Sequence, residues 1–339
     1  KKTTSALAIA ALLGTGAASA ATFQINDTTT VGIGGAFYPF YGDTKNGNGT
    51  SESFYGDASR LIFTSEKAAV NGMTASLYYQ LRPQSGLGSA ADGGDPANGV
   101  TTHVAHATLS GDFGSVTYGK NDNLMYRYMD VIADYNDTLT FTFSNAIQRR
   151  RVLTYASPDF DGFGFEVESE LVGDVSGASV GGNSSSFNAA AYADLDAVRL
   201  HAVYAAGDLQ TANSDGAYGL AAVTDINVFE VQAYYKRSKI QPTSVDAVID
   251  ADGDVDNPDA VADADQKITG LIAKMDYDYG EVDLGVQSVD ANDKSNRTEV
   301  IGRVTYDIAS NVYTSLEYRS ADRENDRGDG FGVALWYGF

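Results

Sequence analysis

Apolar and polar residues alternate along most of this chain. At its end, Phe331, Val333, Leu335, Tyr337 and Phe339 share one parity, and Gly332, Ala334, Trp336 and Gly338 the other. Only a strand of period two separates residues in this way. The same rhythm recurs. Met73, Ala75, Leu77, Tyr79 and Leu81 oppose Thr74, Ser76, Gln80 and Arg82; Phe163, Phe165, Val167 and Leu171 oppose Glu166, Glu168 and Glu170. Phe229, Val231, Ala233 and Tyr235 oppose Glu230, Gln232 and Lys236, and Val312, Leu316 and Tyr318 oppose Tyr313, Ser315, Glu317 and Arg319. Charges on the minority face of strand after strand predict a sheet with one apolar and one polar, wetted surface.

Short and long connections alternate as well. Tight turns are predicted at 70–72, 111–114, 157–162, 194–197, 224–227, 279–281 and 307–311. Longer polar stretches fall near 42–56, 83–101, 120–148, 173–187, 207–216, 238–266, 290–297 and 320–329. Seven turns and eight loops join 16 strands, an even number, as a bacterial transmembrane barrel requires. Five of the six prolines lie in these connections; Pro39, near the outer end of the first strand, is the exception. The mean hydropathy of −0.21 fits, because a barrel needs only alternate residues apolar. The fold read from the pattern is all-β: an antiparallel transmembrane β-barrel with short periplasmic turns and long outer loops.

The first residues read as an export signal. Lys1-Lys2, the apolar run Ala6–Leu13 and Ala18-Ser-Ala20 give a charged region, a short apolar core and a small-residue cleavage site. Residues 1–20 are therefore read as a signal peptide and 21–339 as one barrel. A chain without cysteine holds no disulfide framework. The formal charge of −22 argues against nucleic acid as a partner. His103, His106 and His201, the only three histidines, offer little for a catalytic or metal site, so neither an enzyme nor a cofactor is expected.

Several segments carry a family resemblance: Ala58-Ser-Arg-Leu61, Gly114-Ser-Val-Thr-Tyr-Gly-Lys-Asn-Asp122, Arg151-Val-Leu-Thr-Tyr155, Ser157-Pro-Asp-Phe-Asp-Gly-Phe163 and the terminal Tyr-Gly-Phe. In this order the chain resembles the general diffusion porins of Gram-negative, gammaproteobacterial outer membranes. The resemblance implies an outer-membrane, water-filled channel for passive diffusion of ions and small hydrophilic solutes. It also implies a homotrimer set among outer-membrane lipid and lipopolysaccharide, each pore narrowed by an inward-folded third loop. The Pro-Glu-Phe-Gly-Gly type motif that many relatives carry on that loop is absent; Met125–Asp137 takes its place. An outer-membrane barrel acting mainly as adhesin or phage receptor is the alternative, since exposed loops vary freely.

The family pattern sets a basic cluster on the wall opposite acids on the third loop. The basic candidates are Arg60, Arg149, Arg150 and Arg151. Parity points Arg60 and Arg150 inward and gives Arg149 and Arg151 outward parity, where a headgroup contact is the other reading. The acidic candidates are Asp130, Asp134 and Asp137, which one helical turn would group; three solvated loop carboxylates is the competing view. Arg82, His103, Glu166, Glu168, Glu230 and Glu317 are expected to line the lumen, His103 where relatives often carry an arginine. Acid excess in the loops predicts a mild cation preference. Gly32, Gly34 and Gly35 are expected to let neighbouring barrels approach closely. The loop 246–265 holds eight aspartates; Asp250, Asp252, Asp254 and Asp256 have calcium-ligand spacing, but no glutamate closes the set, and a solvated acidic loop is the plainer reading.

Overall fold

The computed structural model describes residues 21–46, 49–83, 100–141, 149–171, 187–206, 216–240, 248–249, 255–256, 264–291, 296–322 and 328–339. The signal segment 1–20 and Asp250, Asp252 and Asp254 lie outside them, and Asp256 sits in a two-residue strand, Val255–Asp256, paired with Val248–Ile249.

Sixteen antiparallel strands close into a barrel. Strand β1 comprises Thr29–Phe37 and Pro39–Lys45, and β2 comprises Ser51–Asp57 and Arg60–Ala68. Then follow β3 (Thr74–Pro83), β4 (Val100–Gly111), β5 (Gly114–Asp122), β6 (Arg149–Ala156), β7 (Phe163–Glu170) and β8 (Phe187–Leu195). The circuit continues with β9 (Val198–Ala206), β10 (Gly216–Ile226), β11 (Phe229–Ile240) and β12 (Ala264–Tyr277). It ends with β13 (Gly280–Ala291), β14 (Arg297–Ala309), β15 (Val312–Ala321) and β16 (Gly330–Gly338).

The break in β1 follows from Pro39, whose missing N–H cannot join the ladder. There the Tyr38 N–H turns to Ser59 Oγ at 2.8 Å instead. β16 runs beside the outer half of β1, and a short strand, Ala21–Asn26, pairs with its inner half, so this strand and β16 share one position in the wall. Gly35 and Phe339 exchange both backbone hydrogen bonds, at 2.9 and 3.0 Å, and seal the seam.

All seven predicted turns are present. Asn71, Asp161, Asp196, Asn227 and Asn311 adopt positive φ in five of them, a conformation that short polar side chains tolerate. The stretch near 42–56, expected as a loop, is instead a hairpin whose strands pair from Pro39–Asp57 to Lys45–Ser51, with Tyr41 opposite Tyr55. Phe40 lies over Gly56 and Phe54 over Gly42, so each ring covers the bare backbone of its cross-strand glycine.

Alternation sorts the two faces as expected. Leu77, Tyr118, Leu153, Leu220, Leu271, Leu284, Leu316 and Tyr337 are exposed on the outside, the face a bilayer covers. Glu168, Lys236, Asp283, Gln287, Glu299 and Glu317 are buried on the inside. The glycines of β1 differ from expectation. Gly32 and Gly34 flank exposed Ile33 and so face inward, while the Phe339 ring fills the space outside Gly35.

Candidate functional site

Asn123–Phe141, the start of the third outer connection, folds into the barrel. It makes a π-helical turn at Tyr126–Asp130 and a short helical turn at Val131–Ala133. Its apolar residues explain the inward path. Leu124, Met125, Met129, Ile132, Ala133 and Phe141 form one buried cluster with small wall residues such as Ala190, Ala205, Ala217 and Ala221. Gly219 leaves room for Met129, and Gly285 for Tyr135 and Phe141; a Cβ at either would collide with those side chains. Part of the lumen wall is therefore dry and apolar because the loop covers it.

Polar fastenings ring this core. Arg127 forms an ion pair with Glu166, to which the Tyr128 hydroxyl also donates at 2.9 Å. Burial, with Glu166 beside it, pushes the Tyr128 phenol well above its usual range, so it remains a donor. Glu168 accepts from the Leu124 N–H at 3.3 Å, the Thr154 hydroxyl at 3.0 Å and the Asn188 amide at 2.9 Å. Lys236 meets Asp130 at 2.9 Å. On β15, Glu317 accepts three successive loop N–H groups: Asp137, then Thr138 at 3.0 Å and Leu139 at 2.7 Å. Arg319 donates to the Thr140 carbonyl at 2.9 Å.

Asp137 occupies the far anchor. Tyr38 and Tyr313 both donate to its carboxylate, and Arg303 lies 3.6 Å away. Arg303 also pairs with Asp283 at 2.7 Å and with Glu281. Arg60 sits nearby on β2 with its guanidinium 4.8 Å from the Trp336 ring centre; Tyr313 stacks on that ring, and Tyr38 meets it edge-on.

The acidic trio thus differs from the expected arrangement. Asp130 and Asp137 are drawn to the wall by Lys236 and Arg303 on β11 and β14 rather than turned toward a cluster on β2 and β6. Asp134, half-buried, accepts from Tyr126 within the loop. Arg151 is exposed on the same parity as exposed Leu153, while Val152 between them is fully buried, so alternation turns Arg151 out of the lumen. The Arg149 and Arg150 side chains lie outside the described residues.

Arg82 is half-buried on β3, and Glu230 is exposed close to the 227–228 turn. His103 coincides with a β-bulge: Gln80 pairs with Val104 and Leu81 with Thr102, so His103 is the extra residue and the register resets there. His106, beyond the bulge, stacks on Tyr78 with ring centres 5.5 Å apart. Among the described residues no group of three or more His, Cys, Asp or Glu side chains could hold a metal ion.

Glu317 and Glu168 were expected merely to line the lumen, whereas both fasten the loop. One signal for this was available. Ala189-Ala-Ala191 leaves little side chain on either face of β8, room that a covering element can fill.

The comparisons with known proteins agree with this architecture. The chain matches the family described as Gram-negative porin over residues 3–326, and it belongs to that family. It is 26 % identical over 391 residues to a Halomonas sp. protein named monosaccharide porin, and likewise to the major outer membrane protein of Halomonas elongata; both matches cover 100 % of either chain. Among solved structures it is similar to an anion-selective porin from Comamonas acidovorans, with TM-score 0.68 and 15 % identity over 92 % of this chain and 100 % of that one. It is also similar to Salmonella typhi OmpF in complex with daunomycin, with TM-score 0.67 and 18 % identity over 94 % and 100 %. The protein is an outer-membrane porin, and its family and fold point to a diffusion channel.

Proposed function

We propose that this porin passes ions and small hydrophilic solutes, monosaccharides among them, with a mild preference for cations, and that it works as a homotrimer among outer-membrane lipid and lipopolysaccharide. The relative named monosaccharide porin supports the solute class. The loop's fastenings run from β7 through β11, β14 and β15 to β1, so the water path runs along β2–β6. Arg60 stands on that side, where strand parity also points Arg150, and Asp134 lies on the inward loop. Polar walls and loosely held water lower the barrier that lipid presents to such solutes.

The observation that carries the cation preference is the charge balance around the loop. Arg303 serves three carboxylates, Asp137, Asp283 and Glu281. Backbone amides hold Glu317, and neutral donors hold Glu168. Negative charge is left over on the side of the lumen the loop covers. At physiological salt the screening length is about 8 Å, so these groups act on an ion at the constriction while distant mouth charges do not.

The reversal potential across a planar bilayer under a KCl gradient tests this. It should favour K⁺ modestly, and more strongly as salt is lowered. Anion preference at low salt would overturn the assignment and give the constriction to its arginines.

A further inference from the structure

We propose that a file of aromatic side chains on the lumen face, Phe54, Phe40, Tyr38, Trp336 and Tyr313, together with the Arg60 guanidinium, forms a stacking track for the pyranose ring of a neutral sugar. The proposal rests on the reading that monosaccharides enter this channel, and it gives them a place and a mode of binding.

Register puts the rings inside. On the outer hairpin Tyr41 pairs with Tyr55 and both are exposed outside, so Phe40 and Phe54, one position away, point into the lumen. On β16 Leu335 and Tyr337 are exposed outside, and Trp336 between them is buried inside. Trp336 is the direct cross-strand partner of Tyr313 on β15. The Tyr38 and Tyr313 hydroxyls both donate to Asp137 on the inward loop, which fixes their side. Ring centres follow one another at 6.4 Å from Phe54 to Phe40, 6.5 Å to Tyr38, 5.0 Å to Trp336 and 6.0 Å to Tyr313. The file descends from the outer hairpin to Arg60, whose guanidinium lies 4.8 Å from the Trp336 ring centre.

Such a file departs from the polar interior that a water-filled barrel ordinarily presents. The inward loop does not account for it. The loop's apolar residues pack on Ala190, Ala205, Ala217 and Ala221, whereas Tyr38 and Trp336 form a separate cluster with Ala36 and Ala334, and Phe40 and Tyr313 pack against that one. Phe54, Phe40 and Tyr313 stay half-buried, so each keeps surface toward the channel. Gly42 and Gly56 add no side chain to that face of the hairpin; a Cβ at either would strike the ring of Phe54 or Phe40.

A sugar in its chair form has an apolar face of C–H groups edged by hydroxyls. The C–H face stacks on an aromatic ring, and the hydroxyl oxygens accept from a guanidinium. Arg60 is the donor at hand. Arg127 and Arg303 are committed to carboxylates and Arg319 to a loop carbonyl. Among the described residues Arg60 pairs with no carboxylate, its Nε has no hydrogen-bond partner, and its charge rests on the Trp336 ring. Weak contacts repeated along a wall suit a pore, because a solute held at each step must also leave it.

Trp336 is the only tryptophan in the chain, so its emission reports on the track. The folded barrel in detergent is titrated with D-glucose and with sorbitol, an open-chain polyol of similar size that lacks the ring. Glucose should change the emission saturably, and sorbitol should not. F54L should raise the half-saturating glucose concentration several-fold, and F40L/F54L should raise it about tenfold. Y41L/Y55L, on the outer face of the same hairpin, should leave it unchanged; heat-modifiable migration checks that each variant is folded. Emission that ignores glucose or answers sorbitol equally would overturn the track, and so would F54L titrating like the unaltered protein. Proteoliposome swelling separates the track from the reading beneath it. Swelling rates that saturate with glucose but stay proportional to sorbitol concentration are the expected result. Proportional rates for both solutes would overturn the track and leave the diffusion channel standing, whereas a barrel that conducts KCl and admits neither solute would overturn both.

Discussion

Lys236 and Asp130 meet at 2.9 Å inside the barrel, with both side chains 1 % exposed. This contact joins the wall at β11 to the centre of the inward loop. Breaking a buried pair leaves an uncompensated charge and costs about 3–5 kcal/mol, whereas replacing both partners with apolar groups of similar size is close to neutral. Asp130→Ala should therefore lower the unfolding midpoint in detergent sharply. Asp130→Leu combined with Lys236→Met should recover most of the loss. If the single and double variants unfold alike, the pair does not hold the loop.

The Glu317 carboxylate gathers three consecutive loop N–H groups. Glutamine keeps one acceptor oxygen and turns an amide donor toward those donors. Hydrogen bonds to a charged group contribute about 1.5–3 kcal/mol each, so Glu317→Gln should loosen the Asp137–Leu139 segment. Single-channel records of Glu317→Gln should show excess open-state noise and a broader conductance distribution. Records as quiet as those of the unaltered channel would show that the apolar cluster alone fixes the loop.

The sheet was legible in the sequence, and the loop's path was not. Strand alternation and turn residues such as Asn71, Asn227 and Asn311 act over a few positions, so strands, turns and facing could be read locally. The bulge at His103 and the hairpin at 39–57 shifted details, because a cross-strand partner decides a bulge and rings stacked over glycines decide that hairpin. The loop's anchors are contacts between residues more than a hundred positions apart, such as Asp130 with Lys236 and Tyr135 with Ile301. No spacing rule announces them. The family pattern suggested acids facing arginines across the pore, but Asp130 and Asp137 found basic partners sooner on the nearer wall.

Closure of the barrel depends on Gly35. A Cβ there would collide with the Arg60 carbonyl and the Phe339 ring, which lies where a side chain would point. Gly35→Val should therefore impair the seam between β1 and β16 and leave less heat-modifiable, folded barrel in outer-membrane extracts. Gly302→Ala, at a position where a Cβ meets only ordinary contacts, should fold normally. Equal folded yields for the two would contradict the role given to the Gly35–Phe339 seam.

The periplasmic turn at 157–162 gives a pH signature. Backbone donation from Gly162, and then the Tyr192 hydroxyl, hold Asp159 below the usual carboxylate range. A depressed folded-state value contributes stability above the ordinary carboxylate pKa of about 4, and that contribution is lost as pH falls through the lower folded value. Asp159 is exposed, so the effect should be small. Asp159→Asn should flatten part of the acid-side decline in unfolding midpoint and leave the neutral side unchanged in slope. A decline of the same shape in both proteins would remove Asp159 from the account.

The central proposal is a water-filled path between the loop and the wall of β2–β6. Single-channel recording of the purified, folded protein in a planar bilayer tests it most directly. Stepwise, long-lived conductance increments that scale with bulk salt conductivity are the predicted result. A folded, membrane-inserted barrel that never conducts would contradict it.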